Sequence, residues 1–298
     1  MKAKPALIHL RYAQTRDLPR NDSNVIKFRR YTLLSAATTA LSEGVTPTGS
    51  QLAVTDVSST VLQYGDYVTL TDKLLFTTQD PIMNETNDLL GQQAGNTLDQ
   101  LTRDVIIAGT TVQYASTSTT RGSVTASMKM TKDEVREAVR TLKGNNAHKV
   151  TEMIDPSDRF NTSPVDAAYI GFVHPDTTFD LKNIPGFIRV EEYGSKKALP
   201  GEVGALDEVR FIESTNAKIF SAAGSGSIDV YGTLIIGKEY YAQSRVAGEA
   251  MKMITKPLGS GGSADPLDQR QTLGWKAAFV STRLNEAFGL RIEHAVSS

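Results

Sequence analysis

The stretch Val45-Thr-Pro-Thr-Gly-Ser-Gln-Leu-Ala-Val-Thr-Asp-Val-Ser-Ser-Thr-Val-Leu-Gln-Tyr-Gly-Asp-Tyr-Val-Thr-Leu-Thr-Asp-Lys-Leu-Leu-Phe-Thr-Thr78 is β-forming sequence without a core of its own. Leu52, Val54, Val57, Val61, Tyr64, Tyr67, Val68, Leu70 and Leu74 are interleaved with Thr, Ser and Asp. Gly49-Ser50 and Gly65-Asp66 supply turn chemistry. The pattern predicts an extended hairpin, wet on both faces. A two-stranded ribbon with so few large apolar groups is not stable alone and needs another surface to lie on.

Downstream, Asp80 and Pro81 read as an N-cap and first helical residue. Ile82, Leu89, Leu90, Ala94, Leu98, Leu101, Val105 and Ile106 recur at mostly helical spacing. That spacing predicts a long helix over 80–108, closed by Gly109. Gly91 and Gly95 each weaken it by about 1 kcal/mol, and their i,i+4 spacing allows a neighbour to approach closely. Thr131-Lys-Asp-Glu134 is a capping box that opens a second helix, with Val135, Ala138, Val139 and Leu142 as its apolar stripe and Gly144 at its end. Between the two, 110–130 is rich in Ser and Thr and reads as loop or short strand.

Beyond 165 the chain changes to short strands, read at 167–173, 187–193, 209–214 and 228–236. Pro175, Pro185-Gly186, Pro200-Gly201 and Gly224-Ser-Gly-Ser227 separate them. A helical piece is expected after Gly237, through Tyr240, Tyr241, Arg245 and Val246. Residues 259–264 are a Gly/Ser loop, and 272–296 read as long strands. The class is α+β, with no internal repeat.

Composition narrows the chemistry. A length of 298 residues allows one large domain or two modest ones. No apolar run approaches the length needed to span a bilayer, and Met1–Arg11 lacks the apolar stretch of a signal peptide. With no cysteine, disulfides, thiolate metal sites and thiol nucleophiles are excluded. Residues 1–30 hold eight Lys/Arg and two Asp, so they carry +6 and the remainder −7. A basic arm on an acidic body suggests an arm lying on something acidic, either nucleic acid or a neighbouring copy. The plainer reading is a solvated, frayed terminus.

The enzyme-like motifs fail one by one. Gly232-Thr-Leu-Ile-Ile-Gly-Lys-Glu239 matches a phosphate loop until Glu239 stands where Ser or Thr must hold magnesium, and its interior reads as a strand. No Gly-x-Ser-x-Gly elbow exists. His9, His148, His174 and His294 are scattered. His174-Pro175-Asp176 reads better as a strand-terminating turn than as a site. Asp155-Pro-Ser-Asp158 and Asp265-Pro-Leu-Asp268 read better as Asp-Pro turns than as cation sites. Asn21, Asn84 and Asn161 head formal glycosylation sequons that carry little weight without a signal peptide. Trp275, Tyr240 and Tyr241 are expected in packing. No catalytic, cofactor or metal residue emerges, which favours a structural role.

Several blocks, taken in order, carry a family resemblance: Glu43-Gly-Val-Thr-Pro47, Gln63-Tyr-Gly-Asp-Tyr67, Leu89-Leu-Gly-Gln-Gln-Ala-Gly95 and Val173-His-Pro-Asp176. They continue with Gly201-Glu-Val-Gly204, Glu208-Val-Arg-Phe-Ile212, Val230-Tyr-Gly-Thr-Leu-Ile-Ile-Gly237, Asp265-Pro-Leu-Asp-Gln269 and Gly274-Trp-Lys276. The chain resembles tailed-bacteriophage major capsid proteins, within them the coliphage N-four-type group. The resemblance implies the Hong Kong 97-type capsid fold. It would place an N-terminal arm at 1–43, an extended hairpin (E-loop) at 44–78, and a peripheral domain at 79–165 with the spine helix at 80–108. An axial domain would follow at 166–271, and strands at 272–298 would return to the peripheral domain. It leaves 110–130 unplaced. It implies a shell protein that assembles into hexamers and pentamers around double-stranded DNA. Arg29, Arg30, Glu43, Gln63, Tyr64, Gly65, Asp66 and Tyr67 are the candidate intersubunit contacts. The implied partners are further copies of the chain, packaged DNA held weakly, and portal and scaffolding or decoration proteins, with no cofactor and no membrane. The implied location is the virion capsid, assembled in the host bacterial cytoplasm. An encapsulin-type nanocompartment shell is the alternative within the fold, and a cytosolic enzyme with an unrecognised site the alternative outside it.

Overall fold

A computed structural model describes residues 7–21, 23–155, 164–194, 198–248, 251–262 and 265–297. The first strands are β1 (Gln14–Thr15), β2 (Val25–Tyr31), β3 (Val54–Thr60) and β4 (Leu62–Thr71), followed by helices α1 (Asp72–Thr77) and α2 (Ile82–Ile107). Then come β5 (Val112–Tyr114), α3 (Lys132–Gly144), β6 (Tyr169–Val173), α4 (Pro175–Leu181), β7 (Phe187–Arg189), β8 (Glu202–Leu206) and β9 (Val209–Glu213). The chain continues through β10 (Ile219–Phe220), β11 (Val230–Ile236), β12 (Tyr241–Arg245), β13 (Lys252–Lys256), β14 (Arg270–Arg283) and β15 (Gly289–His294).

Two main sheets result. One runs β1-β12-β14-β13, with β4 also on β14, and the other runs β5-β15-β11-β6-β9-β8-β7, with β10 on β11. β2 and β3 form a separate ribbon. Leu90 and Ala94 of α2 pack on Leu70, Leu273, Trp275 and Ala277 of the first sheet. Alternation divides the second sheet between two cores. Tyr169, Val173 and Ile235 meet the α3 stripe Val135, Ala138, Val139 and Leu142. Ile170, Phe172, Leu234 and Ile236 meet Ile8, Ile106, Tyr240 and Tyr241. Strands buried on both faces read as continuous apolar runs, and β11 is buried along its whole length. Gly232 to Ile236 of the near-miss phosphate motif are therefore strand in the middle of a sheet, and Lys238 and Glu239 lie in the turn that follows.

The strand pairing differs from the sequence expectation at one decisive place. β3 and β4 do not form a hairpin with each other. β3 pairs antiparallel with β2, Val25 opposite Thr60 through Tyr31 opposite Val54. β4 pairs with β14, from Leu62 opposite Phe279 to Thr71 opposite Arg270. The extended hairpin thus spans 25–60 with 32–53 as its loop, and Gly65-Asp66 lies within a strand. The reason is partner availability: Tyr64 and Leu70 point into the α2 core, which offers more apolar burial than a solvated ribbon could. The arm is corrected with it, because Ile8, Leu18, Ile26 and Phe28 are all buried.

Four smaller differences accompany it. Pro81, without a side-chain bond, is the N-cap of α2 in place of Asp80. The expected helix after Gly237 is strand β12, central between β1 and β14, whose two-sided burial erased the period. His174 caps the short helix α4, its Nδ1 accepting from the Asp176 amide at 3.3 Å. β15 lies inside the second sheet between β5 and β11, not beside α2 with β14. The Thr131–Glu134 capping box forms as read, with the Thr131 amide donating to Glu134 Oε2 at 2.8 Å. Asp265 makes a turn, accepting the Arg270 amide at 2.8 Å. Asp158 and the Asn161 sequon lie outside the described residues.

Candidate functional site

The hairpin is anchored at its root and bare at its end. Ile26 and Phe28 of β2 and Val57 and Val61 pack with Leu18, Ala242, Val246, Val280 and Leu284 on the first sheet. Every residue from 29 to 56 is exposed. Leu33 is 94% exposed, Leu41 78%, Val45 65% and Leu52 63%. So much apolar surface held in water on one segment marks a contact to be made with something else.

The structure separates the eight predicted contact residues into three groups. Arg29 and Arg30 sit on β2: Arg29 Nε lies 3.4 Å from Asp56 Oδ1, and Arg30 donates to Asn285 Oδ1 at 2.8 Å. Both guanidinium groups are used within the chain. Glu43 lies in the bare loop. Gln63 through Tyr67 lie on β4, opposite Ala278 through Gly274 of β14. There Gln93 of α2 ties the layers together, donating to Asp66 Oδ2 at 2.5 Å and accepting from Trp275 Nε1 at 3.1 Å. The Gln93 bond, followed by the Tyr67 amide, holds the Asp66 carboxyl below its ordinary value.

β4, β14 and β13 border an open groove of about 780 Å³. Tyr67, Ile254, Lys256, Arg270 and Lys276 stand around it, with Gly65 and Gly274 as bare backbone. β13 is exposed over its whole length. Reasoning from sequence named five residues of its β4 side, Gln63 through Tyr67, and missed its β13 side. The signal was present in Lys252-Met-Ile-Thr-Lys256, a strand-like run with charges at its ends.

The buried polar groups elsewhere are fastenings. The His9 amide and Nδ1 both meet the Asp99 carboxylate at 2.9 Å, and Asn216 donates to the same carboxylate at 3.1 Å, clamping the arm to α2. Leu7 lies over Gly95, where a Cβ would come within 2.8 Å of it, while Gly91 faces open space. Glu202 takes Arg210, the Tyr193 hydroxyl and the Leu199 amide, and burial followed by that carboxylate pushes the Tyr193 phenol up. Glu293 takes Arg121 and Arg291, which fixes part of the unplaced 110–130 segment to β15. Among the described residues no group of three or more His, Asp and Glu could hold a metal ion, and no helix is long and apolar enough to cross a membrane.

A profile of the family described as phage capsid protein matches residues 54–291. No curated protein sequence matches. Among solved structures, the capsid of the cyanophage P-SCSP1u is 15% identical, with all of this chain and 90% of that chain covered and a TM-score of 0.71. The capsid of Ralstonia phage GP4 is 12% identical over 96% of this chain and 88% of its own, with a TM-score of 0.75. The cyanophage Pam1 capsid is 14% identical over 97% and 93%, with a TM-score of 0.69. The α+β architecture is therefore of the Hong Kong 97-type.

Proposed function

The chain belongs to the phage capsid protein family and is a shell-forming structural protein of the virion, not an enzyme, and from that premise we propose that the β2–β3 hairpin is the element that joins one subunit to the next. One observation carries this: residues 32–53 expose Leu33, Leu34, Leu41, Val45 and Leu52 together, with no described residue of their own chain covering them. Burial of those side chains would then occur only on assembly, which couples the order of the segment to the shell.

In this reading 7–21 is the arm, 25–60 the extended hairpin, and α2 with the first sheet the peripheral domain. The second sheet with α3 and α4 forms the axial domain. Assembly proceeds through hexamers and pentamers in the host cytoplasm and encloses double-stranded DNA, with portal and scaffolding or decoration proteins as partners. The overall charge of −1 suits a wall that must release packaged phosphate. The order of the blocks between Glu43 and Lys276 supports the N-four-type group within the family.

Hydrogen exchange on free and assembled protein tests the role of the hairpin. Amides of 32–53 should exchange freely in the subunit and become protected in particles. Unchanged exchange in particles seen by electron microscopy would end the reading.

A further inference from the structure

The arm and the root of the hairpin build a basic face. Ile26 and Phe28 of β2 turn inward onto the first sheet, so strand alternation sends Lys27 and Arg29 to the opposite face of the ribbon. The register sets Val25 opposite Thr60, Lys27 opposite Ser58 and Arg29 opposite Asp56. The Ser58 and Thr60 hydroxyls therefore share that face with the cations. Arg16 reaches the same place from the arm, its Nη1 donating to the Lys27 carbonyl at 3.4 Å. Arg16, Ser23, Lys27 and Arg29 border an open groove of about 690 Å³ between the arm and β2.

The backbone under this face is pinned. The Arg16 and Leu18 amides donate to the Gln243 and Arg245 carbonyls of β12 at 3.1 and 2.8 Å, and Leu18 is buried. A cation mounted on a fixed strand loses less freedom on binding than one on a loose tail. Its charge is also less compensated than elsewhere in the chain. Among the described residues neither Arg16 nor Lys27 is paired with a carboxylate. On α3, by contrast, Arg136 faces Asp207 at 3.0 Å, Arg140 faces Glu137 at 3.1 Å, and Lys143 is paired with Glu208. The acids near the groove are Asp17 and Asp56. The Arg29–Asp56 pair, at 3.4 Å and exposed on both sides, contributes little, and the guanidinium has further N–H groups to donate.

We infer that this face holds the phosphate backbone of duplex DNA inside the shell, with Arg16, Lys27 and Arg29 on phosphates and the hydroxyls of Ser23, Ser58 and Thr60 beside them. The inference rests on the reading that the shell encloses duplex DNA, and adds to it the surface that touches the DNA. An acidic protein segment is the competing occupant. It is disfavoured because no large exposed apolar side chain lines the groove, whereas protein partners anchor in an apolar centre and phosphate contacts need none. Three cations make the contact weak and blind to sequence, as suits DNA that must leave.

Fluorescence anisotropy of a labelled duplex of about 20 base pairs with full-length free subunits tests the face, and three phosphate contacts predict about a 40-fold loss of affinity between about 50 and about 200 mM salt. Two unrelated duplex sequences should bind alike. Arg16→Gln and Lys27→Gln should each lower the slope of log affinity against log salt by about 0.9, and Arg16→Lys with Lys27→Arg should keep it. All these residues are exposed, so the urea midpoint should not move and reports any folding defect separately. A slope that neither Gln variant changes overturns the inference, as does a labelled poly-glutamate peptide bound more tightly than the duplex. Closed empty particles should leave added duplex unbound. Particles that bind it as free subunits do would put the face on the outside, and the inference fails. Electron microscopy of the same samples separates the two levels of failure. Normal particles with no duplex binding by the subunit defeat only this face, and absence of particles from the wild type defeats the shell reading itself.

Discussion

At His294 the imidazole is held neutral by its surroundings. Its Nε2 meets Thr233 Oγ1 at 2.9 Å, and its Nδ1 donates to the Ala295 carbonyl at 2.9 Å. Burial brings its pKa down to about 4, against partial opposition from the Ala295 bond and Asp180. The unfolded chain takes up the proton near pH 6.5, so the folded state loses stability as pH falls from there toward 4. The neutral form's full contribution, about 3 kcal/mol, is present above 6.5. Urea unfolding of the free subunit at pH 7 and pH 4.5 should therefore show a steep fall in wild type and a shallower one in His294→Gln. Equal slopes would place the protonation elsewhere. Gly65 makes a different point. The sequence suggested a turn glycine, but the residue pairs with Lys276, and a Cβ there would come within 2.6 Å of the Trp275 carbonyl. Gly65→Ala should cost about 1–3 kcal/mol by forcing β4 away from β14, read as a lower urea midpoint.

At the scale of elements, legibility followed the locality of the signal. The capping box at Thr131 and the stripe through Leu142 are contained within α3, and both formed as read. Thr131→Ala should cost about 1 kcal/mol in the same urea assay. α2 was legible from its period to within two residues, and the central strands β11 and β14 from their apolar content. What failed was pairing. Alternation in 45–78 marks two strands, but nothing within those residues says that one will join β2 and the other β14, some two hundred residues away. β12 failed for a related reason, since burial on both faces leaves no period to read. The candidate contacts fared accordingly. Glu43 lies in the bare loop, Arg29 and Arg30 are used internally, and Gln63 through Tyr67 border a groove whose other wall, β13, was left unread although Lys252–Lys256 is a strand-like run. The exchange pattern should divide at residue 61. In the free subunit 62–71 should be protected by pairing with β14, and 32–53 should not.

For the whole molecule, the architecture divides the chain into parts that pack on one another and an exposed loop proposed to act in assembly, and truncation can tell them apart. The basic charge of residues 1–30 suggested a detachable arm, removable without harm to the body. The packing says otherwise. Ile8 and His9 are buried on α2 and the second sheet, Leu18, Ile26 and Phe28 hold the hairpin root, and Arg20 donates to the Ala247 and Gly248 carbonyls at 2.9 Å. Deleting 1–30 removes these anchors and also strips β3 of its partner. Each lost large apolar side chain leaves a cavity worth about 2–4 kcal/mol, so the thermal midpoint should fall by at least ~10 °C if the protein folds at all. Deleting 36–50 touches no buried residue, so its midpoint should stay within about 1 °C of wild type while closed particles disappear from sedimentation profiles. The two truncations are of similar kind in sequence and opposite in consequence. A midpoint that survives loss of 1–30 would return the arm to the status of a frayed tail, and one that collapses on loss of 36–50 would mean the loop packs on its own chain.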